Sequence, residues 1–120
     1  MADSLYERLG GSEGITQIAS DALDNHLINP RIKSRYEHLD HLESVRSGAA
    51  NFFISATGGP DVYEGGNMLE THKGMNIDEA EYMAVVDDIL DALDKNSIAQ
   101  REQEEVLFAL YSMRREILHV

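Results

Sequence analysis

Between residues 58 and 77 the chain runs Gly58-Gly59-Pro60-Asp61-Val62-Tyr63-Glu64-Gly65-Gly66-Asn67-Met68-Leu69-Glu70-Thr71-His72-Lys73-Gly74-Met75-Asn76-Ile77. Four glycines and a proline break any regular element in its first half, which reads as a loop. One or two helical turns follow from Asn67 to Lys73, with Asn67 able to cap their start and Gly74 able to end them. His72 falls in the last turn, sharing a face with Met68 and Leu69. An imidazole set among soft apolar side chains between glycine hinges suits a single axial haem ligand. By composition alone, a histidine near a helix C-terminus is more often a surface residue or a complement to the helix dipole.

The flanking segments are helical in period. Downstream, Asp78 and Glu81 form a capping box, and Tyr82, Val85, Val86, Ile89, Leu90 and Leu93 make an apolar stripe. Asp87, Asp88, Asp91 and Asp94 fall opposite and read as a solvated face. After the break at Asn96-Ser97, a last helix from about Gln100 is expected to bury Val106, Leu107, Leu110, Met113 and Ile117. Upstream, Leu42, Val45, Ala49, Phe52, Phe53 and Ala56 form another stripe. In its middle, Gly48, Ala49 and Ala50 allow either close helix packing or room for a flat cofactor, and packing is the stronger reading of composition.

Nearer the N-terminus, Ser4 and Glu7 form a second capping box, and Gly10-Gly11 ends that short helix. A helix from about Ser12 carries Ile15, Ile18, Ala19, Ala22, Leu23 and Leu27 on one side and closes at Asn29-Pro30, since proline disfavours helix at the residue before it. His26 lies at the edge of this stripe, where a histidine satisfied by a neighbour is the simpler reading. Arg31 to Glu37 is polar and irregular, anchored by Ile32 and Tyr36. His38 and His41 could hold a metal if helical, but no further ligands accompany them. No strand pattern occurs, so the fold class is all-α.

The composition is that of one domain, residues 1–120, large enough for a core with a pocket. A 42% hydrophobic content with two prolines indicates a compact chain rather than disorder. With no cysteine, disulfides and thiolate chemistry are excluded. Met1-Ala2-Asp3-Ser4 has neither the basic region nor the apolar run of a leader, and no segment has the length and apolarity of a membrane span. The expectation is a cytoplasmic protein. Its net charge of −12 should repel nucleic acid and anionic membranes.

Gly58-Gly59-Pro60, Tyr63-Glu64-Gly65, Met68, His72, Gly74 and Ile77 together resemble the loop and proximal segment of truncated haemoglobins, nearest to group I. The resemblance begins at Ser4-Leu5-Tyr6-Glu7-Arg8-Leu9-Gly10-Gly11 and covers nearly the whole chain. It implies a truncated globin fold, in which two antiparallel helix pairs form a two-on-two sandwich around haem b. Ser12–Asn29 would pair with Leu42–Thr57, and Asp78–Asp94 with the final helix.

Carried over by position, the resemblance makes His72 the proximal iron ligand. It sets Met68, Phe53, Tyr82, Val85 and Ile89 against the porphyrin, with Tyr36 as a pocket aromatic. Arg46 and Lys73 would meet the propionates. At the distal positions, where the family usually has a tyrosine and glutamines, stand Leu23, Val45 and Ala49. The segment between is one residue longer than usual. The implied function is binding of dioxygen, carbon monoxide or nitric oxide in an unusually apolar distal pocket, for oxygen transport or nitric oxide detoxification. Detoxification needs an external reductase, because nothing resembles a flavin or nicotinamide domain. His26, His38 and His41 are candidates for a sixth ligand, and the expected assembly is a monomer or weak homodimer. The alternative is a haem-free helical domain acting through protein contacts.

Overall fold

A computed structural model of the chain describes residues 3–120; the Met1-Ala2 part of the leader reading lies outside the described residues. Seven α-helices occur there: α1 (Leu5–Arg8), α2 (Gly11–Ile28), α3 (Leu42–Ala56), α4 (Met68–His72), α5 (Glu79–Lys95), α6 (Gln100–Ser112) and α7 (Arg114–Ile117). A single 3-10 turn, Lys33–Arg35, interrupts the polar stretch between α2 and α3. Both capping boxes form: the Glu7 amide donates to Ser4 Oγ at 3.2 Å, and the Glu81 amide to Asp78 Oδ1 at 2.7 Å. Each satisfies a donor that the helix itself leaves unpaired. No described helix is long and apolar enough to cross a membrane.

Helix α2 is the common partner, packing extensively on both α3 and α5, whereas α5 and α6 touch more sparingly. Its apolar residues Ile15, Ile18 and Ala22 meet Ile54 of α3 and Val86, Ile89 and Leu93 of α5 in one core. Ala92 and Leu93 are 0% and 1% exposed, which places the tightest packing toward the end of α5. A cavity of about 60 Å³ remains in this core, walled by Ile15, Ile18, Phe53, Ile89 and Leu110.

The C-terminal segment differs from the expected single helix. It breaks at Met113, and Leu107 is 37% exposed rather than buried. The Leu110 carbonyl accepts the Tyr82 hydroxyl and the Met113 amide, so it does not continue the α-helical ladder. Ser112 Oγ also bonds back to the Phe108 carbonyl at 2.8 Å, a contact that bends helices. The chain then returns to the end of the 58–77 stretch. Ile77 and Leu118 make an isolated parallel bridge, and the His119 amide donates to the Ile77 carbonyl at 2.9 Å.

At the end of α3, Gly58 adopts φ +102°, in the region that favours glycine. Gly59 is required for space. A Cβ there would lie 2.4 Å from Tyr6 Cδ1 and 2.8 Å from the Ile54 carbonyl oxygen. Gly59→Ala is therefore expected to destabilise the fold by about 1–3 kcal/mol through overpacking, read as a lowered urea midpoint with an unchanged slope.

Candidate functional site

The loop of residues 62–66, α4, α3 and the first half of α5 line a half-open cavity of about 1040 Å³, with the C-terminal end of α2 and the 3-10 turn along one side. Small-molecule sites commonly span about 300–1,000 Å³, so this space is large for a 120-residue chain. Its wall contains His26, Tyr36, Val45, Ala49, Phe53, Met68, His72, Tyr82, Val85 and Ile89. Gly48 faces open space on the α3 side, since a Cβ added there would meet no atom within 4 Å. The small-residue patch therefore serves both ends: Gly48 and Ala49 border the cavity, while Ala50, 4% exposed, is buried in the packed side of α3.

His72 is set by its own short helix. Asn67 Oδ1 accepts the Glu70 amide at 2.8 Å to start α4, and Gly74, at φ +89°, follows its end. His72 Nδ1 lies 2.8 Å from the Met68 carbonyl oxygen. A carbonyl can only accept, so Nδ1 carries the proton, and in the neutral ring Nε2 keeps its lone pair. Such a bond fixes tautomer and ring orientation as a metal-binding histidine requires. Met68 lies half-buried beside it, while Leu69 turns outward at 45% exposure.

Three positions assigned by resemblance stand apart from this wall. Leu23 is buried in the packed face of α2 and does not line the cavity. Arg46 is turned to α2, donating from Nη1 to the Ser20 carbonyl at 2.9 Å and to Asp24 at 3.2 Å. Lys73 is exposed beyond the end of α4 and also lies off the wall. The cations that do line it are Arg35, paired through Nη2 with Glu81 Oε1 at 3.0 Å, and any protonated histidine. His38 and His41 are exposed, with His38 bonded to the Ser34 carbonyl. No group of three or more potential metal ligands of the His, Cys, Asp and Glu type exists among the described residues.

The polar feature hidden from sequence reading is Asp88. Instead of joining Asp87, Asp91 and Asp94 in solvent, it is 7% exposed and accepts the His26 Nδ1–H bond at 2.8 Å. Asn29 Nδ2 reaches both of its carboxylate oxygens, at 3.1 and 3.2 Å. The His26 ring stacks on Tyr36 with centroids 5.2 Å apart and planes 19° from parallel. Asp88 falls three residues after Val85 and four before Ala92, a spacing that put it on the buried arc. Its neighbour on α2 depends on how the two helices cross.

The model of the family described as bacterial-like globin matches residues 4–119. Group 1 truncated hemoglobins are similar over most of the chain. The one from Tetrahymena pyriformis is 24% identical over 115 residues, covering 96% of this chain and 94% of the relative. One from Synechocystis is 28% identical over 101 residues, 81% of each. The crystal structure of the Tetrahymena pyriformis protein in its Fe(III) form superposes with a TM-score of 0.93, covering 98% of this chain and 100% of that one. A group II truncated hemoglobin from Bacillus anthracis, 18% identical, gives 0.90 over 100% and 94% of the two chains.

Burial lowers the His26 pKa below its ordinary 6.5, and the opposing hydrogen bond that the ring donates to Asp88 does not restore it. Asp88 on α5 with its Asn29 partner, and Tyr36 with Arg35 beside it, are the groups facing this ring. Just below pH 6.5 the unfolded chain binds more protons at this residue than the folded one, so stability falls as pH drops through that value. Glu81 and Glu105, held below the usual carboxylate range by hydrogen bonds from Arg35 and Arg8, add to the loss only at lower pH. Urea midpoints measured across pH should show the first decline below 6.5, and His26→Gln should flatten that part of the curve.

Proposed function

Because this chain belongs to the bacterial-like globin family, we propose that its large cavity holds haem b with His72 Nε2 as the iron ligand, and that the protein binds diatomic gases. The observation that carries this is His72 itself: it lines the cavity, and its Nδ1 is tied to the Met68 carbonyl, which leaves Nε2 for a metal. When bound, haem supplies an iron with a coordination position for dioxygen, carbon monoxide or nitric oxide. Haem is supported independently by the open space beside Gly48 and by the apolar surfaces of Met68, Phe53, Val85 and Ile89.

The chain's own residues then divide the work. Phe53, Met68, Tyr82, Val85 and Ile89 exclude water from the porphyrin faces, and the Tyr36 ring closes the edge near α2. Arg35 on the wall is the cation placed to meet a carboxylate of the cofactor, and Lys73, next to His72 but off the wall, would serve only by reaching in from solvent. Arg46 instead holds α3 against α2. At the positions nearest the expected ligand, Val45 and Ala49 offer no hydrogen-bond donor, and Leu23 is packed away from the cavity. Iron-bound dioxygen carries partial negative charge, and a hydrogen bond to it contributes about 1.5–3 kcal/mol. Its absence at these positions favours rapid dioxygen release and affects carbon monoxide less. Turnover of nitric oxide would require an external reductase, and oxygen binding needs no partner beyond the gas.

Two measurements test this reading. The purified protein should take up one haem with a shifted, intense Soret band, which His72→Gly should abolish while helicity is retained. Failure of the unaltered protein to bind haem would favour a haem-free domain acting through protein contacts. In stopped-flow experiments, Val45→Gln should slow dioxygen release by about tenfold to hundredfold by adding a donor to the pocket.

A further inference from the structure

Two adjacent rings on the cavity wall present polar atoms that make no hydrogen bond among the described residues. His26 is 7% exposed, yet its Nε2 makes no hydrogen bond, the only one on this ring running from Nδ1 to Asp88. Of the tyrosines on the wall, Tyr63 donates its hydroxyl to the Gly66 carbonyl and Tyr82 to the Leu110 carbonyl, whereas Tyr36 Oη has no partner. Among the described residues no sealed side-chain nitrogen or oxygen lacks a partner. Both His26 Nε2 and Tyr36 Oη are therefore reachable by a molecule the size of water.

The chemistry of the two atoms is complementary. Asp88, itself fixed by Asn29, holds the proton on His26 Nδ1. Burial disfavours a second proton on the ring, so Nε2 is an acceptor near neutrality. The Tyr36 phenol, whose own ionisation burial opposes, keeps its proton and can donate. Near-parallel stacking sets acceptor and donor on neighbouring rings.

We propose that His26 Nε2 and Tyr36 Oη form a binding site for a small amphiprotic molecule of the type H–X, which donates to the imidazole and accepts from the phenol. Water fits this chemistry, and so does hydrogen sulfide. Dioxygen, carbon monoxide and nitric oxide do not, since none carries a proton to donate. The site adds selectivity to the proposed haem chamber, and rests on that reading in taking the cavity to be where ligands enter. Asp88 acts as a positioning residue, because it decides which imidazole nitrogen faces the guest.

The test titrates the haem-loaded protein with sulfide and, separately, with carbon monoxide. His26→Leu should weaken sulfide binding by about tenfold or more, the equivalent of one net hydrogen bond, and leave carbon monoxide within about threefold. His26→Gln, which retains an acceptor, should recover most of the sulfide affinity. Tyr36→Phe should weaken sulfide in the same selective way. Unchanged sulfide affinity in His26→Leu, or equal losses for both ligands, would overturn the proposal. A second readout needs no haem: nitrogen NMR of the His26 ring in the cofactor-free protein should show the Nδ1–H tautomer and an Nε2 shift on adding sulfide. Failure of haem uptake with that shift present would count against the haem reading alone. An Nε2 signal that ignores sulfide would count against this site.

Discussion

A chain of 120 residues that keeps a cavity of about 1040 Å³ open must draw its stability from everything around the hole. Side chains on its wall turn their apolar surface to the cavity rather than to one another, so they add little to the protein's own packing. The compensation lies where α2 crosses α5 and α3. There Ile15, Val86, Ala92 and Leu93 are all 2% exposed or less. The tight core and the open chamber share Phe53, Ile89 and Leu110, so one set of side chains forms both the floor of the cavity and the edge of the packed region.

Polar contacts hold the helices at the distances this division needs. Arg8 of α1 reaches Glu102 at 3.0 Å and Glu105 Oε1 at 2.9 Å on α6, across the sparse contact between those helices. Asn96 at the end of α5 donates to buried Asp21 of α2 at 2.9 Å. Exposed ion pairs of this kind contribute little energy individually. Their effect is geometric, since a buried acceptor such as Asp21 or Asp88 left without its donor is costly. Tyr82 serves both regions: its ring faces the cavity, and its hydroxyl takes the carbonyl at which α6 stops.

The imidazoles of His26 and His72 show how second partners assign chemistry to identical side chains. Each has its Nδ1–H bonded to an oxygen acceptor, a carboxylate for His26 and a backbone carbonyl for His72. Both therefore offer Nε2 to the cavity. His72 sits at the end of a five-residue helix between glycines, where the ring approaches the cavity from a local turn. His26 is clamped in a long helix by Asp88 and stacked on Tyr36, an arrangement suited to a fixed hydrogen-bonding group rather than to a ligand that swings toward a metal.

What could be read directly from the residues was local. The caps at Ser4, Asn67 and Asp78 involve partners within three positions, and the apolar stripes repeat within each helix, so the helices up to α5 and the local setting of His72 follow from spacing, whereas the break at Met113 does not. Resemblance in ordered motifs extended this to the fold. The tertiary structure decided the remainder. Asp88 was expected in solvent and is buried against His26, Leu107 was expected in the core and is exposed, and Arg46 turned from the cavity to α2. In each case the deciding quantity is the rotation and crossing of one helix against another. That depends on contacts between residues such as 26 and 88, which are far apart in the chain; periodicity can set each on a buried arc, but it names no partner for either.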